Sequence, residues 1–306
     1  MSGNHSILYY DRYNHKYSNE DVYAGKFLFW LYNTNTGLLM NDLFFKRRYI
    51  SKLYKQIQNP RFSKNKIPHF IKRFAISTSE LQSVSEKFKN FNDFFKRKID
   101  LLERPVNRDS SVCTAPCDGR ALAYHSVNYN SVFTIKRQVF NLKSFLRNEN
   151  LLKTFPEFSL FICRLHLSDY HHFHFPDSGV ANEPITIDGH LYTSGPYSLN
   201  KFIPFYTENF RVITPFSSDN FGDMLVCEIG AFTVGSIKQD FLQNEKVNKG
   251  DHKGYFEIGG STVVLIFQKG NINFDDDLIS NTSIGIETYI KMGDSIGRGL
   301  KNGRKK

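Results

Sequence analysis

Histidine, serine and aspartate gather in three short segments whose side chains together could build an activated nucleophile. In LHLSDYHHFHFPDSG, residues 165–179, His166, His171, His172 and His174 fall within nine residues at the end of an apolar run. Only histidine titrates near neutrality without a large perturbation, so such a cluster points to acid–base chemistry or to a metal site. In KGDHKGYFEIGGSTVVLIF, residues 249–267, the run Gly259, Gly260, Ser261, Thr262 interrupts what is otherwise one β-type stretch. Paired glycines inside a strand mark a bulge or a tight bend. They also permit backbone conformations closed to other residues, so a strained Gly–Ser peptide can be held for attack by the Ser261 hydroxyl. The third segment, APCDG at residues 115–119, has Asp118 as its only carboxylate. Alone it reads as an Asx-type β-turn. Beside a histidine cluster and a serine it supplies the acid from which an activated nucleophile is completed.

The elements that must position these groups change character along the chain. From about residue 112, short β-type runs alternate with Gly, Pro, Asn and Asp: RALAYHSV, SVFTIKR, FSLFICRLHL, DMLVCEIGAFTVGSI, GYFEI, STVVLIFQK and IGIETYIKM. Short helical insertions are expected at residues 141–152 and 275–280. Before residue 105 the texture is helical, with Ser63 placed to cap a helix through IPHFIKRFA, Ser77 or Ser79 one through ELQSVSEKF, and a third through FNDFFKRK. The expected fold class is α+β: a basic helical region over 1–104, which the family resemblance given below makes membrane-docking, a mostly antiparallel β-rich domain over 105–296, which it makes catalytic, and a basic tail over 297–306.

Composition fits that plan, since 40% hydrophobic and 15% aromatic residues suffice for a core in one or two domains. The net charge of +10 is uneven. Residues 1–100 hold 18 Lys+Arg against 8 Asp+Glu, and residues 43–79 hold ten Lys/Arg and no acid among Phe, Tyr, Ile and Leu at helix-like spacing. Such a face suits phosphates of nucleic acid or an anionic bilayer; the apolar spacing favours amphipathic helices against something apolar. No run reaches about 18 apolar residues, and the N-terminus lacks the layout of a secretory signal, so neither spanning nor export is expected. Cys113, Cys117, Cys163 and Cys227 are too sparse for a disulfide framework and read as reduced thiols; the C-x3-C pair lacks the second ligand pair of a zinc site.

Over nearly its whole length the chain resembles the phosphatidylserine decarboxylase family, in the pyruvoyl-dependent branch whose self-cleavage motif reads GGST. The resemblance rests on FNDFFKRKIDLLERPV, APCDG, DYHHFHFPDSG, GHLYTSGP, CEIGAFTVGSI, KGDHKGYFEIGGSTVVLIF and MGDSIG in order, with YAGKFLFWLYNTNTG and ISKLY before them. It implies that Asp118, His174 and Ser261 form the catalytic triad and that His171 is a second, proton-transferring histidine. Cleavage between Gly260 and Ser261 would leave a β chain of 1–260 and an α chain of 261–306, with Ser261 converted to a covalent pyruvoyl group. That group, the only cofactor implied, would form a Schiff base with the serine amine of phosphatidylserine and release carbon dioxide and phosphatidylethanolamine. No metal is implied. The partners implied are the lipid in an anionic membrane, not nucleic acid, and a second copy in a homodimer. A peripheral place on the cytoplasmic face of a bacterial inner membrane follows, with Arg298, Lys301, Arg304, Lys305 and Lys306 of the tail adding to attachment. Two positions depart from the family pattern: His172 stands where Arg is commoner, and Phe210 in TENFR stands where the family has an acid.

Two other functions fit some of these residues. A serine hydrolase could use Asp118, His174 and Ser261 for acyl transfer without cutting its own chain. Its G-x-S-x-G elbow is matched only at Gly293–Gly297, after which no Asp or His follows. A non-enzymatic basic protein could bind lipid or nucleic acid regardless of Ser261.

Overall fold

Period-two alternation of apolar residues makes strands, and when both faces of a sheet are to be buried the alternation becomes a continuous apolar run. The computed structural model describes residues 7–22, 24–77, 88–128, 133–135, 138–194, 204–232, 237–257 and 261–300. Its strands are β1 Ile7–Asp11, β2 Lys16–Glu20, β3 Val112–Thr114, β4 Gly119–Asn128, β5 Phe133–Ile135, β6 Gln138–Phe140, β7 Glu157–Leu165, β8 His172–His174, β9 Gly179–Ala181 and β10 Ile185–Ile187. They continue with β11 Arg211–Ser218, β12 Gly222–Gly230, β13 Ile237–Gln239, β14 Glu245–Val247, β15 His252–Phe256, β16 Ser261–Gln268, β17 Ile272–Phe274, β18 Glu287–Ile290 and β19 Ser295–Gly299.

An eleven-stranded sheet runs β14-β9-β11-β12-β16-β7-β4-β18-β1-β2, with β10 also on β11. Its centre, β12-β16-β7-β4, is antiparallel. On one face Ala121, Phe161, Cys163, Val226, Val263 and Leu265 enter a core shared with Phe173, Phe256 and Phe274 of two three-stranded sheets, β13-β15-β8 and β17-β19-β3. On the other, Leu122, Leu160, Ile162, Leu225, Val264 and Ile266 pack under Leu142, Phe145, Leu146 and Phe155. The fold is thus α+β and mostly antiparallel, and the insertion expected at 141–152 is two short helices, Leu142–Leu146 and Glu149–Thr154. All four cysteines are buried and unpaired by disulfides.

The first third holds helices α1 Gly25–Asn33, α2 Asn35–Met40, α3 Arg48–Gln58, α4 Ile67–Phe74 and α5 Phe91–Phe95. Ile67 and Phe70 of α4 pack with Phe88, Phe91, Phe94 and Phe95 in a small separate core. Three details differ from expectation. Residues 7–20 are not helical: β1 and β2 form a hairpin, and β1 joins the main sheet parallel to β18. A buried cluster locks it there, because Glu20 accepts hydrogen bonds from Arg164 at 2.8 and 3.0 Å and Arg164 also pairs with Glu287 at 2.7 Å. Such a link between residues 144 apart leaves no local signal. Ser63 does not cap α4; its hydroxyl donates to the Gln58 carbonyl and accepts from the Phe91 N–H, tying α3 to α5. In IGIETYIKM only Glu287–Ile290 is strand, because Gly285 closes the preceding helix Asp276–Ser283 with φ 75°. The helix expected through ELQSVSEKF, the scissile Gly260, parts of SVFTIKR, GHLYTSGP and CEIGAFTVGSI, and tail residues 301–306 lie outside the described residues.

Candidate active site

Ser261 opens β16, where it lies opposite Gly230 of β12 on one side and Leu165 of β7 on the other. Arg120 faces Arg164 in the β4–β7 pair, so Gly119 falls beside Leu165. Asp118 therefore sits two strand spacings, about 10 Å, from Ser261 across the sheet. The glycine after Asp118 is required here, since a Cβ at position 119 would lie 2.6 Å from Cys163 Sγ and 2.7 Å from the Arg164 carbonyl oxygen.

The histidine segment lies between these two ends. The His174 N–H donates to the Pro116 carbonyl at 2.7 Å, two residues before Asp118, and the Phe256 N–H donates to the His171 carbonyl at 2.9 Å, five residues before Ser261. The fold thus brings Asp118, His171, His174 and Ser261 to one end of the central strands. Their side chains are not hydrogen-bonded to one another among the described residues. The Asp118 carboxylate accepts from Arg104 Nε at 3.0 Å and Nη2 at 2.8 Å and from the Met292 N–H at 2.8 Å. Burial pushes its carboxyl above the ordinary value, against the pull of Arg104 and Met292.

His174 donates from Nδ1 to the Gly250 carbonyl at 3.0 Å, which leaves Nε2 as its basic nitrogen, and Tyr170 Oη lies 3.2 Å from that Nε2. Gly250 has φ 84°, a conformation that glycine adopts without strain. Burial pushes the His174 imidazole down to about 4, so it is neutral at pH 7. His171 donates from Nδ1 to the Asp169 carbonyl at 2.9 Å, lies tilted against the Phe95 ring, and is pushed down to about 3 by burial. Its Nε2 and the Ser261 hydroxyl are both fully buried with no hydrogen-bond partner among the described residues. Buried polar atoms are normally satisfied, and exceptions concentrate where chemistry is done.

The other two histidines have different work. His166 holds the N-terminal segment through the Asp21 carbonyl at 3.0 Å. His172 stacks under Tyr170 at 4.8 Å and bonds Lys96 and His252, so it supports the site from below. Phe210 is buried against Leu191 and Val212, an apolar role that needs no acid at that position. Arg104, Tyr170 and Gly250 are the functional neighbours that residue types alone did not single out, although Arg104 and Tyr170 sit inside the R-P and D-Y-H motifs. A cleft of about 270 Å³ opens beside them, lined by Arg97, Arg104, Asp118, Asp169, Tyr170 and Lys291, with Phe74–Ser77 at the end of α4 on its wall.

A buried serine at a strand start, a neutral histidine and an aspartate held by Arg104 and the Met292 N–H lie at one end of an antiparallel sheet. The family model for phosphatidylserine decarboxylase matches residues 91–298. The phosphatidylserine decarboxylase proenzyme of Clostridium botulinum is 40% identical over 291 residues, covering 95% of this chain and 99% of that protein. Those of Chlamydia caviae and Clostridium beijerinckii are 37% and 36% identical, covering 96% and 95% of this chain and 99% and 98% of theirs. The chain belongs to the phosphatidylserine decarboxylase family.

Proposed function

We propose that the chain is the precursor of a phosphatidylserine decarboxylase that cuts itself between Gly260 and Ser261 and acts at an anionic membrane surface. The observation that carries this reading is the Ser261 hydroxyl, fully buried at the head of β16 and unpartnered among the described residues, in the GGST motif of a chain whose relatives are proenzymes. In the first step the Ser261 oxygen attacks the Gly260 carbonyl carbon, and its proton passes to Nε2 of neutral His174. The peptide bond becomes an ester and the Ser261 nitrogen becomes an amine. Asp118 supports the charge that develops on the imidazole.

Loss of the Ser261 α-proton then expels the Gly260 carboxylate and leaves dehydroalanine at position 261. Its imine tautomer takes up water, releases ammonia and becomes the pyruvoyl end of the α chain. The surroundings fit this product, because the buried Ser261 hydroxyl, which leaves with the Gly260 carboxylate, carries no hydrogen bond among the described residues. A pyruvoyl carbonyl supplies an electron sink for the decarboxylation. His171 Nε2, with its free lone pair, is the group we assign to moving the proton at the reacting carbon. Arg97, Arg104 and Lys291 give the cleft cationic walls suited to the phosphodiester and carboxylate of the substrate headgroup.

Docking falls to the helices of the first third. Tyr49, Leu53 and Ile57 recur every four residues along α3 and are each more than half exposed, and Leu38, Leu39, Leu43, Phe44 and Phe62 are exposed beside them. With the ten Lys/Arg of residues 43–79 they suit peripheral attachment to anionic lipid on the cytoplasmic face. Among the described residues no helix is long and apolar enough to cross a membrane.

Intact-mass measurement of the wild-type chain beside Ser261→Ala tests the reading. Two fragments are expected in wild type, the smaller beginning at position 261 with a blocked end, and one uncut chain in the variant. A folded wild-type chain that stays whole at 35.5 kDa overturns it.

A further inference from the structure

Beneath the proposed base, four polar groups form a row whose protons can be counted. Asp240 Oδ2 lies 3.1 Å from His252 Nδ1, His252 Nε2 lies 2.8 Å from His172 Nδ1, and His172 Nε2 lies 3.0 Å from the Lys96 carbonyl oxygen. Both ends of the row only accept: one is a carboxylate, the other a backbone carbonyl. Three hydrogen bonds require three protons on the ring nitrogens, and two neutral imidazoles bring two.

We infer that His172 and His252 act as a unit that binds one extra proton, and that this proton closes a joint between β8, which carries the proposed catalytic histidines, and β15, which leads to the scissile bond. When the pair is neutral, one bond of the row is lost. The outer acceptors, a carboxylate and a backbone carbonyl, keep the ring protons that face them, so lone pairs of His252 Nε2 and His172 Nδ1 meet and the bond between β15 and β8 is the one lost. When the pair gains a proton, all three bonds form and the positive charge rests between the rings, beside Asp240. The inference rests on the reading of Ser261 cleavage given above, because it names the joint that positions that step.

The surroundings suit a proton that exchanges with solvent. Asp240 has 69% and His252 29% of its side chain exposed. Asp240, after β13, favours the extra proton; Lys98, after α5, opposes it; and His174, whose ring centroid is 5.3 Å from that of His252, is held neutral by burial. Burial lowers both His172 and His252 below the ordinary histidine value, which places the uptake on the acid side of neutrality. The joint also reaches the site directly, since His172 carries Tyr170 stacked on it, and Tyr170 meets His174 Nε2. At its far side β15 shifts register between His252 and Gly254, which lets Lys253 turn inward to Glu228 while His252 faces β8.

The test follows self-cleavage of newly synthesised precursor in a cell-free system, from about pH 5.5 to about pH 7.5, for wild type and for His252→Gln and His252→Ala. The glutamine amide donates to His172 at every pH, so His252→Gln keeps the joint closed without titrating. The wild-type rate relative to His252→Gln is expected to fall as pH rises, by about tenfold for one lost charge-assisted bond, with His252→Ala slow throughout. A ratio that stays constant overturns the inference while leaving Ser261 cleavage standing; no cleavage in any of them at any pH overturns the earlier reading instead. Histidine 15N spectra of uncut Ser261→Ala give a second readout independent of rate. His172 and His252 should titrate together with one proton for the pair, and separate titrations would sink the idea.

Discussion

The central strands and helix α3 carry the same kind of signal, periodic apolar residues, and put it to opposite use. In β7 and β16 the apolar side chains on both faces are buried, under the small sheets on one side and short helices on the other. In α3 the stripe Tyr49, Leu53, Ile57 stays exposed among the described residues. Periodicity therefore reports that a face wants an apolar partner and is silent on whether the partner is protein or lipid. Charge is the ground for the lipid partner proposed above, since residues 43–79, which include the stripe, hold ten Lys/Arg and no acid.

The comparison breaks first at the core. Phe161→Ala should cost about 3–5 kcal/mol, because the ring is fully buried and the cavity cannot collapse between paired strands. Urea denaturation of uncut Ser261→Ala measures it, and a cost below about 1 kcal/mol would mean that the two-faced core is not packed as described.

Acid should act on the same region. Burial holds His171 and His172 at about 3 and His174 at about 4, all below the ordinary histidine value. Below about pH 6.5 the unfolded chain therefore binds protons that the folded chain refuses, so stability present above that pH is lost as pH falls toward the folded values. Each such histidine contributes a slope of up to about 1.4 kcal/mol per pH unit, and proton uptake by the His172–His252 pair would soften the share of His172. Melting curves of the uncut variant from neutral pH downward check this. Replacing His174 by Gln should flatten the curve.

The smallest effect on stability should come from the stripe itself. Leu53→Asp with Ile57→Asp should leave unfolding within about 0.5 kcal/mol of the parent, as surface changes do. Binding to vesicles containing anionic lipid should fall by about tenfold or more, as lost apolar insertion predicts. Unchanged vesicle binding would move the docking surface elsewhere.

Much of this molecule was legible in its residues. The runs FSLFICRLHL and STVVLIFQK had to be buried strands and the turn at Asn141 had to start short helices, because local spacing and turn residues dictate backbone conformation, while the grouping of Asp118, the histidines and Ser261 was implied by the family resemblance of the ordered motifs. Tertiary structure alone decided the rest. It placed Arg104 and the Met292 N–H on Asp118, Tyr170 and Gly250 on His174, and His252 under His172. It also folded residues 7–20 into a hairpin locked by Glu20 and Arg164, and left the α3 stripe exposed among the described residues. The physical reason is common to all of these. A hydrogen bond or ion pair is set by which groups meet in space, so partners that lie far apart in the chain leave no periodic trace, whereas alternation and turns are written by neighbours.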